Sequence, residues 1–172
     1  MKENPLTSEL LQVKELVYDK CNFEFSNHII DSESAEYQAC SFQLNSFEFI
    51  HRFSKITPTK IGQFVTIWKR NNKRITAPFD VSDNFDFIII TSKNGENLGQ
   101  FVFPKAILLE KGIISNNNIS GKRGIRVYPP WDIPTSKQAE KTQLWQTKYF
   151  YSISKDAFDI ELVKKLFTKT IL

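Results

Sequence analysis

The apolar positions of the sequence switch between two periods, and the switches mark out the elements. Leu6, Leu10, Val13 and Val17 recur at the spacing of one helical face. Thr7 or Ser8 is placed to cap that face and Glu9 falls in the first turn, so residues 6–19 are predicted as a helix. From Cys21 the period drops to two. Cys21, Phe23 and Phe25 alternate with polar residues, as do Cys40, Phe42 and Leu44, and then Phe47, Phe49, His51 and Phe53. Alternation of this kind belongs to strands with one buried face. A polar helical turn over 33–37 separates the first run from the second, and Asn45-Ser46 joins the last two at the length of a two-residue hairpin.

Further along, residues 64–68 follow Gly62 with β-branched and aromatic residues and predict another strand, and the polar run 69–74 reads as a basic loop. Residues 85–91 (FDFIIIT) are nearly all apolar, the pattern of a central strand buried on both faces. A turn over 92–98 containing Asn94-Gly95 leads back through a neighbouring strand, 99–103. Pro104 then opens a helix running to Lys111. After the Asn- and Gly-rich loop 116–124 come a short strand at 125–128, a stiff Pro129-Pro130-Trp131 segment, and helices over 136–149 and 156–170. With no internal repeat and no long linker, these elements predict one α+β domain over residues 1–172, a mixed central sheet flanked by helices.

A chain of 172 residues with 41% hydrophobic and 13% aromatic residues is not disordered or low-complexity, and buries about 70% of its unfolded surface. No apolar run is long enough to span a membrane and the N-terminal residues lack a secretory pattern, so a cytoplasmic location is expected. Two cysteines, Cys21 and Cys40, make no disulfide framework. The charge changes the picture more. Residues 1–50 hold 3 Lys against 9 Asp or Glu, a net of −6, whereas residues 51–172 hold 20 Lys or Arg against 10 Asp or Glu, a net of +10. Between Arg52 and Phe79 seven cations (Arg52, Lys55, Lys60, Lys69, Arg70, Lys73, Arg74) occur without one carboxylate. Such a stretch is either a solvated face or a region able to attract polyanions.

Templates for nucleophiles, phosphate loops and structural zinc are missing, since Cys21, His28, Cys40 and His51 have no ligand-pair spacing and no GxSxG, P-loop or GxGxxG occurs. In the helix 136–149, Lys137, Lys141 and Lys148 form one stripe, and Ala139, Gln143, Gln146 and Phe150 another. If the second stripe faces inward, its glutamines either bond backbone carbonyls or read a base edge. Gly121-Lys122-Arg123-Gly124 is a plain turn or a phosphate cradle, and Trp131 caps the core or stacks on a base. Asp80, Asp83 and Asp86 precede or open the central strand in a basic neighbourhood. That layout suits a Mg²⁺-dependent nuclease, but the neighbouring strand offers Gln100 and a displaced Lys105 in place of the acidic residue and lysine two apart.

Residues 57–70 (TPTKIGQFVTIWKR) resemble the signature of the MepB family, bacterial proteins named from a gene beside a multidrug efflux pump and its repressor. Residues 78–80 (PFD), 99–105 (GQFVFPK), 121–132 (GKRGIRVYPPWD) and 143–150 (QLWQTKYF) are similar to the family's other blocks in the same order, so the resemblance spans about 37–151. It implies a restriction-endonuclease-like fold and an interaction with nucleic acid.

The leading expectation is therefore a nucleic-acid-binding protein with a degenerate or absent catalytic motif, DNA being favoured over RNA, and no cofactor required. Phosphates would meet Arg52, Lys55, Lys60, Lys69, Arg70, Lys105, Lys122, Arg123 and Arg126; Gln63, Gln143 and Gln146 would be polar readers and Trp131 a stacking surface. Two rivals stand beside it. One is a Mg²⁺ nuclease built on Asp83, Asp86, Gln100 and Lys105; the other is a pocket protein for a nucleotide-like small molecule.

Overall fold

Thr7 accepts a hydrogen bond from the Leu10 N–H and starts α1 (Ser8–Val13), whose last turn widens into a π-turn over Lys14–Tyr18. The widening sets Val17 and Tyr18 side by side in the core. The computed structural model describes residues 6–155 and 157–168. Next come β1 (Phe25–Ile30), β2 (Cys40–Leu44) and β3 (Phe47–Phe53), then the short strands β4 (Lys55–Ile56), β5 (Gln63–Thr66), β6 (Trp68–Arg70) and β7 (Thr76–Pro78). The long strands β8 (Phe87–Asn94) and β9 (Asn97–Pro104) lead to α2 (Lys105–Glu110), β10 (Gly124–Val127), α3 (Lys137–Gln146), β11 (Phe150–Ile153) and α4 (Ile160–Phe167).

Six strands form the main sheet in the order β1-β2-β3-β8-β9-β11, antiparallel except for the β3–β8 pair. The sheet is therefore mixed, and helices cover it, as the sequence pattern predicts. The apolar strand is indeed central, and its turn takes two residues, Gly95-Glu96, with Gly95 at φ +60°. Asn45 supplies the left-handed residue of the β2–β3 hairpin at φ +56°. That register stacks Phe42 on Phe49 and Phe49 on Phe87, with centroids 5.6 and 4.8 Å apart, so one aromatic ladder crosses three strands. Helices α1 and α4 close this face. On the other face Ile88, Ile90, Phe101 and Phe103 pack under Val65, Ile67, Leu108, Ile125 and Val127, contributed by α2 and by a second sheet, β10-β5-β4.

Five expectations change. Cys21 and Phe23 lie in a turn whose N–H groups bond Val17 and Tyr18 carbonyls, so the first strand begins only at Phe25. The predicted 64–68 strand is β5, Gln63–Thr66, and Trp68 instead opens β6, which leaves this sheet to pair with β7. The basic loop after it is largely the β6–β7 hairpin. Strand β11, unexpected between two helices, pairs with β9 and is too short to show a period. In the last helix Asp159 caps the Leu162 N–H, so α4 starts at Ile160; Asp156 and residues 169–170 of the predicted span lie outside the described residues.

Candidate functional site

The acidic early part of the chain folds back onto the basic run. The segment after β1 brings Glu33 to Arg70 as a bidentate pair (2.7 and 3.0 Å) and Glu36 to Lys55 at 2.7 Å, while Lys69 meets Asp83 at 2.5 Å. The Arg70 hydrogen bonds hold the Glu33 carboxyl below its ordinary range. Arg52 is only 1% exposed and so cannot meet a phosphate as expected. Its guanidinium donates to the His51 carbonyl at 2.9 Å, stands 3.7 Å from Asp31 and lies over Phe79. Burial lowers its pKa and the Asp31 charge opposes that shift. Lys105 clamps the loop before β8 by donating to the Val81 and Asp83 carbonyls at 3.0 and 2.6 Å. Arg123 remains exposed and donates to the Thr76 carbonyl.

The expected polar readers are occupied inside the fold. Buried Gln63 accepts from Ser54 at 2.7 Å and donates to the Lys93 carbonyl at 3.3 Å. Gln146 accepts from the Tyr128 N–H at 2.9 Å and donates to the Arg126 carbonyl at 3.1 Å, so its amide extends the β10 ladder like a further strand residue. Gln143 ties down the proline segment through the Pro129 and Asp132 carbonyls. Trp131 packs edge-on against Phe150, 5.7 Å between centroids, and caps the core.

The Mg²⁺ residues are not brought together as one set: Asp83, Asp86 and Lys105 are neighbours, but Gln100 is not among them. Gln100 is fully buried: its carbonyl accepts from Tyr18 and Tyr151 at 2.8 and 2.5 Å, and its N–H₂ group donates to Thr91 at 2.9 Å. Thr91 in turn meets His51, whose other ring nitrogen faces the Gln38 carbonyl. Burial pushes the His51 pKa down to about 3, so the imidazole is neutral. Gln100 pairs with Thr91 and Lys105 with Asp86, which separates Gln100 from the Asp86 end by about 16 Å along the strand. Asp86 accepts from the Glu48 N–H, and Asp83 from Lys69 and the Asp80 N–H. Among the described residues no three His, Cys, Asp or Glu side chains gather as metal ligands. The residues present do not fit the Mg²⁺ site that the nuclease reading requires.

A different place gathers four cations around one recess, of which Lys111 also stands 3.4 Å from the Glu110 carboxylate. A cleft of about 700 Å³ lies between the 57–62 loop, β10 and the first turns of α3. Lys60, Lys111, Lys122 and Arg126 line it with the rings of Tyr128 and Trp145, and no carboxylate does. Gly62 sits at φ +84°, and a Cβ there would stand 2.7 Å from the Tyr128 ring, so glycine alone lets the loop close over that ring. Arg126 fastens the same loop through Thr57 and the Ile61 and Gly62 carbonyls. Ser136 caps α3 at the cleft's edge, and the positive end of that helix adds to the field. Of the expected cations, Lys60, Lys122 and Arg126 meet here. Lys111 and Trp145 belong to the cleft although the sequence pattern did not single them out; Lys111 closes α2 and lies 5.6 Å from the Trp145 ring centre.

Residues 31–152 match the MepB-like family over more than half of the chain. The chain belongs to the MepB-like family. It is similar to a crystal structure of MepB, with a TM-score of 0.75 at 30% identity over 87% of this chain and 99% of that one. A bacterial homing endonuclease matches at a TM-score of 0.47 and 14% identity, over 96% of this chain and 100% of that one, a likeness too distant to transfer a mechanism. No curated protein matches the sequence. The MepB-like core includes every cleft residue named above. No helix among the described residues is long and apolar enough to cross a membrane.

Proposed function

We propose that this MepB-like protein binds nucleic acid through the basic cleft, with DNA as the preferred partner. The observation that carries the reading is the convergence of Lys60, Lys111, Lys122 and Arg126 on one recess without a carboxylate, in a chain whose other prominent cations are largely tied into the fold. Lys60 and Lys122, which make no ion pair among the described residues, are the cations best able to replace counterions on a phosphate chain. Fluorescence anisotropy on DNA at rising salt tests it. Affinity falls steeply with salt in the native protein, and Lys60→Gln with Lys122→Gln weakens binding to all sequences alike, because phosphate contacts position without reading bases. Salt-independent binding, or none at low salt, contradicts the reading.

A further inference from the structure

The cleft's shape and lining say more than its charge. Its volume of about 700 Å³ is that of a recess for a small ligand, and the rings of Tyr128 and Trp145 line it together with the four cations. A duplex carries its phosphates outside and covers its base faces by stacking, so it can lie across such a recess but cannot fill it. An unpaired nucleotide offers both a phosphate and an open aromatic face. The cleft also presents the Gln138 amide, which suits a base edge. The Ser136 hydroxyl accepts from the Ala139 N–H and keeps its donor, and the Thr142 hydroxyl donates to the Gln138 carbonyl and keeps an acceptor.

Resting on the nucleic-acid reading above, we infer that the cleft accepts an unpaired segment of a nucleic-acid strand, the base against Tyr128 and Trp145 and the phosphate among Lys60, Lys122 and Arg126. The Gly62 turn over Tyr128, fastened by Arg126, fixes one aromatic wall, and the packing of Trp145 on Phe103, with centroids 5.3 Å apart, fixes the other. A preordered wall loses little freedom when a base stacks on it. Because stacking is available to every base, the preference is for strandedness rather than sequence.

The test is an anisotropy competition in which a labelled oligo-dT strand is displaced by unlabelled oligo-dT, by a blunt duplex and by thymidine monophosphate. Oligo-dT binds at least about tenfold more tightly than the blunt duplex and far more tightly than the monophosphate. Binding quenches tryptophan fluorescence, and the quench is lost in Trp145→Phe. Tyr128→Leu weakens oligo-dT binding about tenfold while the thermal unfolding midpoint is retained. If the duplex binds as tightly as the strand, and neutralising Lys60 and Lys122 abolishes both, the basic interface stands and the unpaired-strand inference falls. Monophosphate competing as well as the strand replaces it with a nucleotide pocket. No binding of any probe at low salt sinks the inference and the proposed function together.

Discussion

Two basic regions of this protein look alike in the sequence and differ in the fold. The run from Arg52 to Arg74 is the denser in cations, yet Glu33, Glu36 and Asp83 pair with Arg70, Lys55 and Lys69, and Arg52 lies inside. The cleft draws Lys60 from that run and joins it to Lys111, Lys122 and Arg126 from segments up to 66 positions away, with no acid among them. Charge density along a chain therefore does not measure the field a partner meets. What counts is whether the fold supplies a counter-charge: Glu33, Glu36 and Asp83 supply it to three cations of the run, whereas the cleft receives only Glu110, 3.4 Å from Lys111.

The comparison breaks if Arg52 behaves as a surface cation. Arg52→Met instead removes a buried partner of Asp31 and of the His51 carbonyl. Because Asp31 is 40% exposed and rehydrates, the cost is mainly that of the His51 carbonyl left without its donor, and urea unfolding is expected to show a loss of about 2 kcal/mol, with affinity per folded molecule unchanged. Gln146→Leu strands the Tyr128 N–H and the Arg126 carbonyl at the cleft wall and costs about 2 kcal/mol in the same measurement, together with weaker binding. The structural region should also respond to acid. His51 has a folded pKa pushed down to about 3, below its unfolded value, so stability is full above the unfolded pKa and is lost as pH falls from there towards 3. The slope reaches about 1.4 kcal/mol per pH unit, and unfolding curves of the native protein and His51→Gln across that window isolate it. Smallest of all, Glu33→Gln releases Arg70 from an exposed pair. It leaves the thermal midpoint unmoved and makes binding slightly tighter at low salt.

Much of the fold was legible because periodicity responds to burial. The Phe42 and Phe49 strands and the Ser136-capped helix stand where their patterns put them, and the apolar strand is central as its pattern implies, although it runs from Phe87 to Asn94 and not from 85 to 91. Strand β11 was not, since four residues sandwiched between helices carry too short a pattern, and their pairing with β9 is a tertiary event. The site was legible only in fragments. Lys60, Lys122 and Arg126 were visible as cations, but their convergence depends on β10 pairing with β5 and on the Gly62 turn. Gln100, Gln63 and Gln146 had the composition of a polar site and the geometry of a core, because an amide satisfies buried donors and acceptors equally well.

The most direct test sets two double neutralisations side by side, Lys60→Gln with Lys122→Gln and Lys69→Gln with Arg70→Gln, on a DNA carrying both a duplex stem and a single-stranded tail. Each removes the same charge from the same protein, so net charge cancels from the comparison. The account predicts that the cleft pair loses about tenfold or more in affinity, with the log–log salt slope shallower by about 1.5 to 2, while the other pair keeps its slope near the native value. The reverse ranking, with Lys69 and Arg70 carrying the salt dependence, would contradict it.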